Sequence, residues 1–525
     1  MRKISVFLFL FFVFQCVVFG QKATLLSLLT RISEKLNLEL SYSSDLVNID
    51  QIIDIQCNDK PDSCIVQIEK LAGLKISKQD GHLVIVPLQP KLIHLQGIVV
   101  DAESKELMPY TSMQIVNTSA GTTTNSEGKF DFKISTKYVG YDIDFSYLGY
   151  NSFRVKVPEK DSENVKVELI PKPYTLDDVN VLPIGMQAID MVKKAVKNIK
   201  RNYDRTTAQY DAFYRNTSFR DSLACQLIEA ALLIKDKGIN TPSATTEIKL
   251  QQVRKSKNYL IPDNKLLIKA MEKIFGGHQN MYYRAYSNMV RDYQDDWWYQ
   301  PLTQYDKFKY EFEATEWLGD VKVYKVKYIY DAIGPDGRRD SERGLWESAG
   351  YFYINSEDWA ILRIEGYTKY LSDKPLSYPA IDKRWREMVE HMSRRETIYQ
   401  KIDGKYYLKY KHFRDLGDGV SLTVDNPDAA YDQQKIKEVQ WADVSLLVTH
   451  VITERRDFDK IKYREVLDRH ENSYEKKYPY DASFWKNYNI LNERPLRSKY
   501  MSDLEAEEKL EQQFEENSSS HDKHN

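Results

Sequence analysis

"EATEWLGDVKVYKVKYIY", Glu313 to Tyr330, carries the pattern on which the fold turns. Tyr324, Val326, Tyr328 and Tyr330 sit at every second position with Lys325, Lys327 and Ile329 between them. Upstream, Phe308, Tyr310, Phe312 and Ala314 alternate with Lys309, Glu311 and Glu313. A period of two places one set on each face of a strand. Gly319-Asp320 supplies the turn, so the pattern predicts a hairpin in a sheet with one wet face. A transmembrane barrel is the rival architecture for so many aromatic strands, but charged residues on a lipid-facing surface are penalised. The hydrophilic ending ENSSSHDKHN, where a closing barrel strand is expected, points the same way.

The pattern spreads outward on both sides. Tyr351 to Ile354 and Trp359 to Ile364 frame a turn at Asn355 to Asp358, and "KIDGKYYLKYKHF" reads as another hairpin around Asp403-Gly404. A helix with Ile189, Val192, Val196 and Ile199 on one face opens this region, and a second, from about 264 to 289 with a break near Gly276-Gly277, is expected to cover the sheet. The region 184–480 is therefore expected to be an α+β domain. Together with "GYFYINSEDWAILRIEGY", the opening stretch resembles the curved antiparallel sheet of periplasmic lipoprotein-carrier proteins. That resemblance implies a cavity able to accept a lipid-like ligand.

Before it, six or seven short strands between 91 and 171 predict a β-sandwich. Within it, "GTTTNSEGKF" (121–130) has the look of a nucleotide or calcium loop. A phosphate loop needs four residues between its first glycine and Gly-Lys, and here six intervene, with Phe130 where a serine or threonine belongs. A calcium loop with Gly128 in sixth place would require a carboxylate at Ile134. What remains is a hairpin turn over Asn125 to Gly128, with Gly128 at positive φ and Phe130 turned into the core. The stretch from Leu92 to Pro171 resembles the carboxypeptidase regulatory-like domain of bacterial envelope proteins. Asn125, Gly128, Phe130, Gly149 and Tyr150 are among the positions that match, alongside Gly97, Asp101, Pro109 and Ser146. In "YTLDDVNVLP", within the linker 172–183, the chain resembles the TonB-box-like segment of outer-membrane receptors.

Residues 21–88 read as a small α+β domain: a helix over 23–37, strands at Leu38–Tyr42 and Ile52–Ile55, a helix from about Asp62 with Ile65, Ile68 and Leu71 inward and Gly73 as its stop, then a hairpin around Asp80-Gly81. With "LNLELSYSSDLV" and "LAGLKISKQDGHLVIVP", it resembles the short N-terminal domain of secretins and TonB-dependent receptors, a docking module without catalytic residues. Residues 1–20 combine Arg2 and Lys3, an apolar run, and Val18-x-Gly20, which predicts a cleaved secretory signal. Export would place Cys57 and Cys64, in CNDKPDSC, in an oxidising compartment. They form a candidate disulfide worth about 2.5 kcal/mol by loop-closure entropy; free thiols and a metal pair are the alternatives. Cys225 reads as a buried small hydrophobe.

The 525 residues carry a net charge of −2, which removes any global electrostatic drive toward nucleic acid. Nine histidines form no HExxH pair or His-x-x-Glu, and no serine elbow is present. Glu387 and His391, in "WREMVEHMSRRE", read as a solvated ion-pair surface. No catalytic, cofactor or metal residues are assigned. The fold expected is multidomain and mainly β: a small α+β domain, a seven-strand β-sandwich, then a large curved antiparallel sheet with covering helices. Residues 481–525 are expected to be a docking segment followed by a solvated acidic helix and a tail. The function expected is non-catalytic: an exported protein, periplasmic or peripheral to the outer membrane, that binds a lipid-like or protein ligand with an envelope or TonB-system partner. A divergent hydrolase acting on peptide or glycan is the alternative.

Overall fold

The computed structural model describes residues 21–42, 49, 52–55, 61–79, 81–87, 91–172, 186–242, 245–259, 281–294, 300–330, 346–370, 394–415, 423–424, 436–438, 440–469, 480–491 and 498–516. They fall in two compact units, Met1–Lys91 and Leu92–Asn525.

In the first unit β1 (Gln21–Thr24) leads into α1 (Leu25–Leu36), followed by β2 (Glu39–Tyr42), β3 (Ile52–Ile55), α2 (Pro61–Ala72), β4 (Leu74–Gln79) and β5 (His82–Pro87). Thr24 caps α1 by accepting from the Ser27 N–H at 3.3 Å, and Asn37 ends it in the left-handed region at φ 52°. β1 pairs antiparallel with β3, while β5 lies between β2, parallel to it, and β4, antiparallel. Leu25, Leu29, Ile53, Ile68 and Leu83 form the core. Leu71, expected inward, is 52% exposed. The 100° step of α2 carries its buried face through Cys64, Ile65 and Ile68 to Ala72, leaving Leu71 to one side. Asp80, Cys57 and the prolyl linker after Pro87 lie outside the described residues.

The second unit opens with seven short strands: β6 (Leu92–Asp101), β7 (Ser112–Ile115), β8 (Gly121–Thr123), β9 (Lys129–Ser135), β10 (Asp142–Ser146), β11 (Phe153–Lys156) and β12 (Ser162–Leu169). They form two sheets, β11-β10-β7-β8 and β12-β6-β9, closed over Val99, Met113, Phe130, Phe132 and Phe145. Gly97 is dictated by this closure. A Cβ there would stand 1.9 Å from the Val165 carbonyl oxygen on the parallel neighbour β12.

The turn at Asn125–Gly128 differs from the hairpin expected. β8 belongs to one sheet and β9 to the other, so the turn is a corner that carries the chain across the sandwich. Asn125 makes it: its Oδ1 accepts from Glu127 N–H at 2.9 Å and Lys129 N–H at 2.8 Å, and its own N–H donates to the Lys129 carbonyl. Gly128 has φ 66°, and its Cα packs so closely that a Cβ would meet Val99 and Met108 backbone atoms under 3 Å.

After the sandwich come α3 (Ala188–Asn202), β13 (Ala208–Arg220), β14 (Leu223–Asp236), β15 (Glu247–Lys255), α4 (Met281–Tyr286), β16 (Phe308–Leu318), β17 (Val321–Tyr330), β18 (Trp346–Asn355), β19 (Ile361–Tyr370), β20 (Arg395–Ile402), β21 (Lys405–Asp415), β22 (Thr423–Val424), β23 (Ile436–Glu438) and β24 (Gln440–Ile452). Ten of these strands build one antiparallel sheet in the order β15-β14-β13-β24-β21-β20-β19-β18-β17-β16. The meander β16 to β21 is joined to the hairpins β13 to β15 through β24, which pairs with both β13 and β21. Asp403 at φ 48° and Gly404 at φ 79° form the tight turn between β20 and β21.

One face of this sheet is covered by α3 and α4. The buried side of α3 is Ala188, Met191, Val192, Ala195 and Ile199; of the expected face Val192 and Ile199 are buried, Val196 packs half-buried against the same core and Ile189 lies at its margin. Of the second expected helix only Met281–Tyr286 lies in the described residues. The regular alternation along β16 is also broken. Phe312 pairs with Val326 but Ala314 with Lys325, a bulge that shifts the buried position to Thr315.

The opposite face is covered by the sandwich and by α5 (Ala482–Asn487), which buries Trp485 against Phe213, Ala231 and Leu447. α6 (Ser498–Leu504) and α7 (Leu510–Glu516) follow. The acidic segment expected to be a solvated helix buries Leu504, Leu510, Gln513 and Phe514. Its acidic side chains are answered locally, Lys257 reaching Glu508 at 2.7 Å and Glu516 at 3.6 Å. Three sparse apolar residues suffice because each is fully inserted rather than spread along a stripe.

Candidate functional site

Where the sandwich meets the sheet, a cleft remains with a cavity of about 210 Å³. The Pro109-Tyr110 turn before β7 and the Tyr147-Leu148 segment after β10 supply one wall. Strands β16 to β20 supply the other, with Leu318, Val321, Val323, Leu362 and Ile398 as its apolar residues. Tyr353, Arg363 and Gln400 reach into the same space.

Several contacts join the sandwich to the sheet and the C-terminal segment around the cleft. Gly149 N–H donates to the Trp317 carbonyl at 2.6 Å, and Lys172 Nζ lies 3.9 Å from the centre of the Trp317 ring. Ser119 Oγ and His450 Nδ1 are 2.9 Å apart, and Asn489 exchanges two hydrogen bonds of 2.9 Å with the Lys133 backbone. Tyr110 stacks on Tyr410 at 5.5 Å. Lys409 is the extra residue of a bulge, since Ile398 pairs with Tyr410 and Tyr399 with Leu408. The bulge sends its ammonium into the interface, where it donates to Ser112 Oγ and the Met113 carbonyl. Burial pulls the Lys409 pKa down to about 7.

Charges along the cleft are mostly paired. Arg363 bridges Glu365 at 2.7 Å and Glu396 at 2.6 Å, one guanidinium between two carboxylates, and Lys401 pairs with Asp358 at 3.0 Å. Two cations thus face three acids, an arrangement that disfavours an incoming anion. Beside the cleft, His412 Nε2 lies 2.8 Å from Asp443, which also holds Arg414 at 3.0 Å. Burial alone would depress the His412 pKa, but the Asp443 carboxylate outweighs it and the net shift is upward.

Gln400 differs from these neighbours. It is 5% exposed and borders the cavity, and among the described residues neither its Nε2 nor its Oε1, both inaccessible to solvent, has a hydrogen-bond partner. A buried amide left unsatisfied costs about 1–3 kcal/mol per group.

The residues singled out from the sequence lie mostly away from this point. Asn125, Gly128 and Phe130 form the corner of the sandwich, with Phe130 buried. Gly149 and Tyr150 do more than shape the sandwich: they join it to the sheet, through the Trp317 carbonyl and a bridge between Tyr150 and Leu318. The Tyr150 hydroxyl donates to Asp101 Oδ2 at 2.5 Å; burial first and then this bond raise the phenol pKa, and the same bond lowers the carboxyl. Cys64 is buried on α2, while its candidate partner Cys57 lies outside the described residues, as do Glu387, His391 and the segment Tyr174 to Pro183. Cys225 is buried, outside any disulfide, with its thiol donating to the Leu223 carbonyl at 3.4 Å. Gln400, Arg363 and Lys409 were not legible as a group, because they converge from different strands and share no spacing.

Ser119 and His450 have a nucleophile–base separation, but Ser119 is 8% exposed within the interface, and no carboxylate among the described residues bonds the second nitrogen of His450. Among the described residues no group of three or more metal-ligating side chains converges. Among them, too, no helix is long and apolar enough to cross a membrane.

A family profile described as a CarboxypepD_reg-like domain matches residues 95–181. No curated protein matches the chain. Similar solved structures include an outer membrane lipoprotein-sorting protein domain from Vibrio parahaemolyticus, 9% identical, covering 52% of this chain and 97% of its own, with a TM-score of 0.24. A DUF1329 family protein from Desulfovibrio piger is 8% identical over 52% of this chain and 95% of its own, TM-score 0.19. A LolA superfamily protein from Nitrosomonas europaea is 11% identical over 53% of this chain and 99% of its own, TM-score 0.15. Likeness at this level carries no argument about ligand or fold.

Proposed function

We propose that the chain is a non-catalytic protein of the cell envelope that binds a lipid-like or protein ligand in the cleft between its CarboxypepD_reg-like sandwich and its ten-stranded sheet. The observation that carries the reading is the cleft itself: a preformed, mainly apolar and aromatic cavity with a few polar groups, which is the usual make-up of a ligand site. The paired state of its charged residues supports binding over acid–base chemistry. The envelope placement is supported by the secretory pattern of residues 1–20.

Native mass spectrometry of the full chain purified from its own envelope fraction tests the reading. A discrete adduct that is lost on denaturation is expected. A bare mass under gentle conditions, with nothing extractable into organic solvent or acid, would sink it. A contact between residues 21–88 and a TonB-system component belongs to the same proposal. Deleting residues 21–91 is expected to abolish recovery of such a partner in pull-downs, and unchanged recovery would remove that part.

A further inference from the structure

We infer that the outer face of α3 is a docking surface for an anionic phospholipid bilayer, formed by Lys193, Lys194, Lys197, Lys200 and Arg201. The inference rests on the envelope placement in the reading above and is independent of what occupies the cleft. At 100° per residue these five side chains fall within about 120° of one another, on the side opposite Met191, Val192, Ala195 and Ile199. All five are exposed, and among the described residues none of them makes an ion pair. Lys193 and Lys194 instead stand over half-buried rings, Tyr305 at 5.5 Å and Trp359 at 4.6 Å. Asp190, the one acid of the helix, is four residues before Lys194, but its carboxylate accepts the Gln187 N–H at 3.0 Å. At the end of the helix Lys405 donates to the Arg201 carbonyl at 2.5 Å and adds a sixth cation.

A merely solvated face does not call for this pattern. The helix dipole favours cations in the last turn, which accounts for Lys200, Arg201 and Lys405. Lys193, Lys194 and Lys197 lie earlier. Along the face Lys197 has Lys193, Lys194, Lys200 and Arg201 as its neighbours three or four residues away, a spacing at which like charges destabilise a helix. An anionic partner relieves that repulsion. The whole chain carries −2, so without these five cations it carries −7. An anionic surface therefore attracts this face and repels the remainder, which orients the molecule. The charges run along about 12 Å of helix. They do not converge on one point, as a single bound phosphate requires, but suit a plane of many. Four of the five are lysines, compact charges on flexible stems, which fit mobile headgroups without the fixed bidentate geometry of arginine. Tyr305 and Trp359, apolar rings with a polar edge at the wet margin, are of the type that sits at headgroup level.

The test is co-sedimentation of the chain from residue 21 onward, free of the apolar run at 4–19 that would itself enter a bilayer, with vesicles of equal parts phosphatidylglycerol and phosphatidylcholine. Binding is expected to these vesicles and not to phosphatidylcholine alone, and is expected to weaken as sodium chloride rises, through screening. Lys193→Gln, Lys194→Gln and Lys197→Gln together are expected to weaken it about a hundredfold, at about fivefold per lysine near such a surface. Lys160→Gln, Lys486→Gln and Lys509→Gln together change the net charge equally at exposed positions elsewhere, and are expected to leave most of the binding in place. Equal loss with both triple variants would show that net charge and not this face is responsible, and would overturn the inference. So would binding indifferent to phosphatidylglycerol. Tighter binding to poly-glutamate than to the vesicles, at matched charge concentration, would assign the face to an acidic polypeptide and overturn it as well. The cleft reading stands or falls separately, on the adduct.

Discussion

Lys409 is a lysine placed by a bulge rather than by alternation, and its ammonium has two neutral oxygens as its hydrogen-bond partners. With a folded pKa of about 7 against an unfolded value near 10.4, the unfolded chain binds the additional proton between those limits. Its contribution therefore makes the protein more stable as pH rises from about 7 to about 10, and is flat below 7. Lys409→Met is expected to remove that slope from the difference between the two proteins in Tm measured from pH 6 to 10. Parallel curves would show that the lysine is not buried in solution. Asn125 makes a second prediction at this scale. Asn125→Ala deletes the acceptor of two backbone N–H groups at the sandwich corner and is expected to lower stability by about 1–3 kcal/mol, read by chemical denaturation. An unchanged midpoint would mean that water replaces the side chain.

Among elements, the C-terminal helices are the clearest case of packing overriding composition. Arg254, ion-paired to the buried Glu229, lies 4.5 Å from the Trp485 ring centre and 5.2 Å from that of Phe514. Glu229 itself is held down to about 2, burial opposing and the guanidinium groups of Arg254 and Arg215 prevailing. Phe514→Ala removes one side of this stack and is expected to cost about 3–5 kcal/mol. The accompanying sign is faster proteolysis after residue 491, and wild-type resistance would contradict the packing. The alternation in β16 and β17 was readable as strand, turn, strand, because period two survives any later packing. The bulge at Phe312–Ala314 was not readable, since one extra residue leaves no mark in a pattern of apolar and charged side chains. The corner at Asn125–Gly128 shows the same division: turn chemistry is local, but which sheet receives the next strand is not.

At the scale of the whole molecule, the two compact units are expected to melt independently, so deletion of residues 21–91 should leave the Tm of the remainder unchanged. A shared single transition would refute that. The candidate bridge belongs to this scale as well, because it depends on compartment. Denatured, unreduced chain beginning at residue 21 is expected to titrate one thiol, Cys225, if Cys57 and Cys64 are joined. Three thiols would exclude the bridge.

By itself the sequence determined the mainly β character, the strands of the ten-stranded sheet on either side of Gly319 and Gly404, the CarboxypepD_reg-like segment and the turn at Gly128. Each depends on neighbours a few residues apart, through periodicity and permitted φ. Tertiary structure alone decided that β24 closes the sheet between β13 and β21, that the sandwich lies across one sheet face, and that Gln400 is buried beside the cleft between them. Those facts depend on which distant surfaces exclude water from one another. Burial of that kind is a property of the assembled chain and is not encoded at any single spacing.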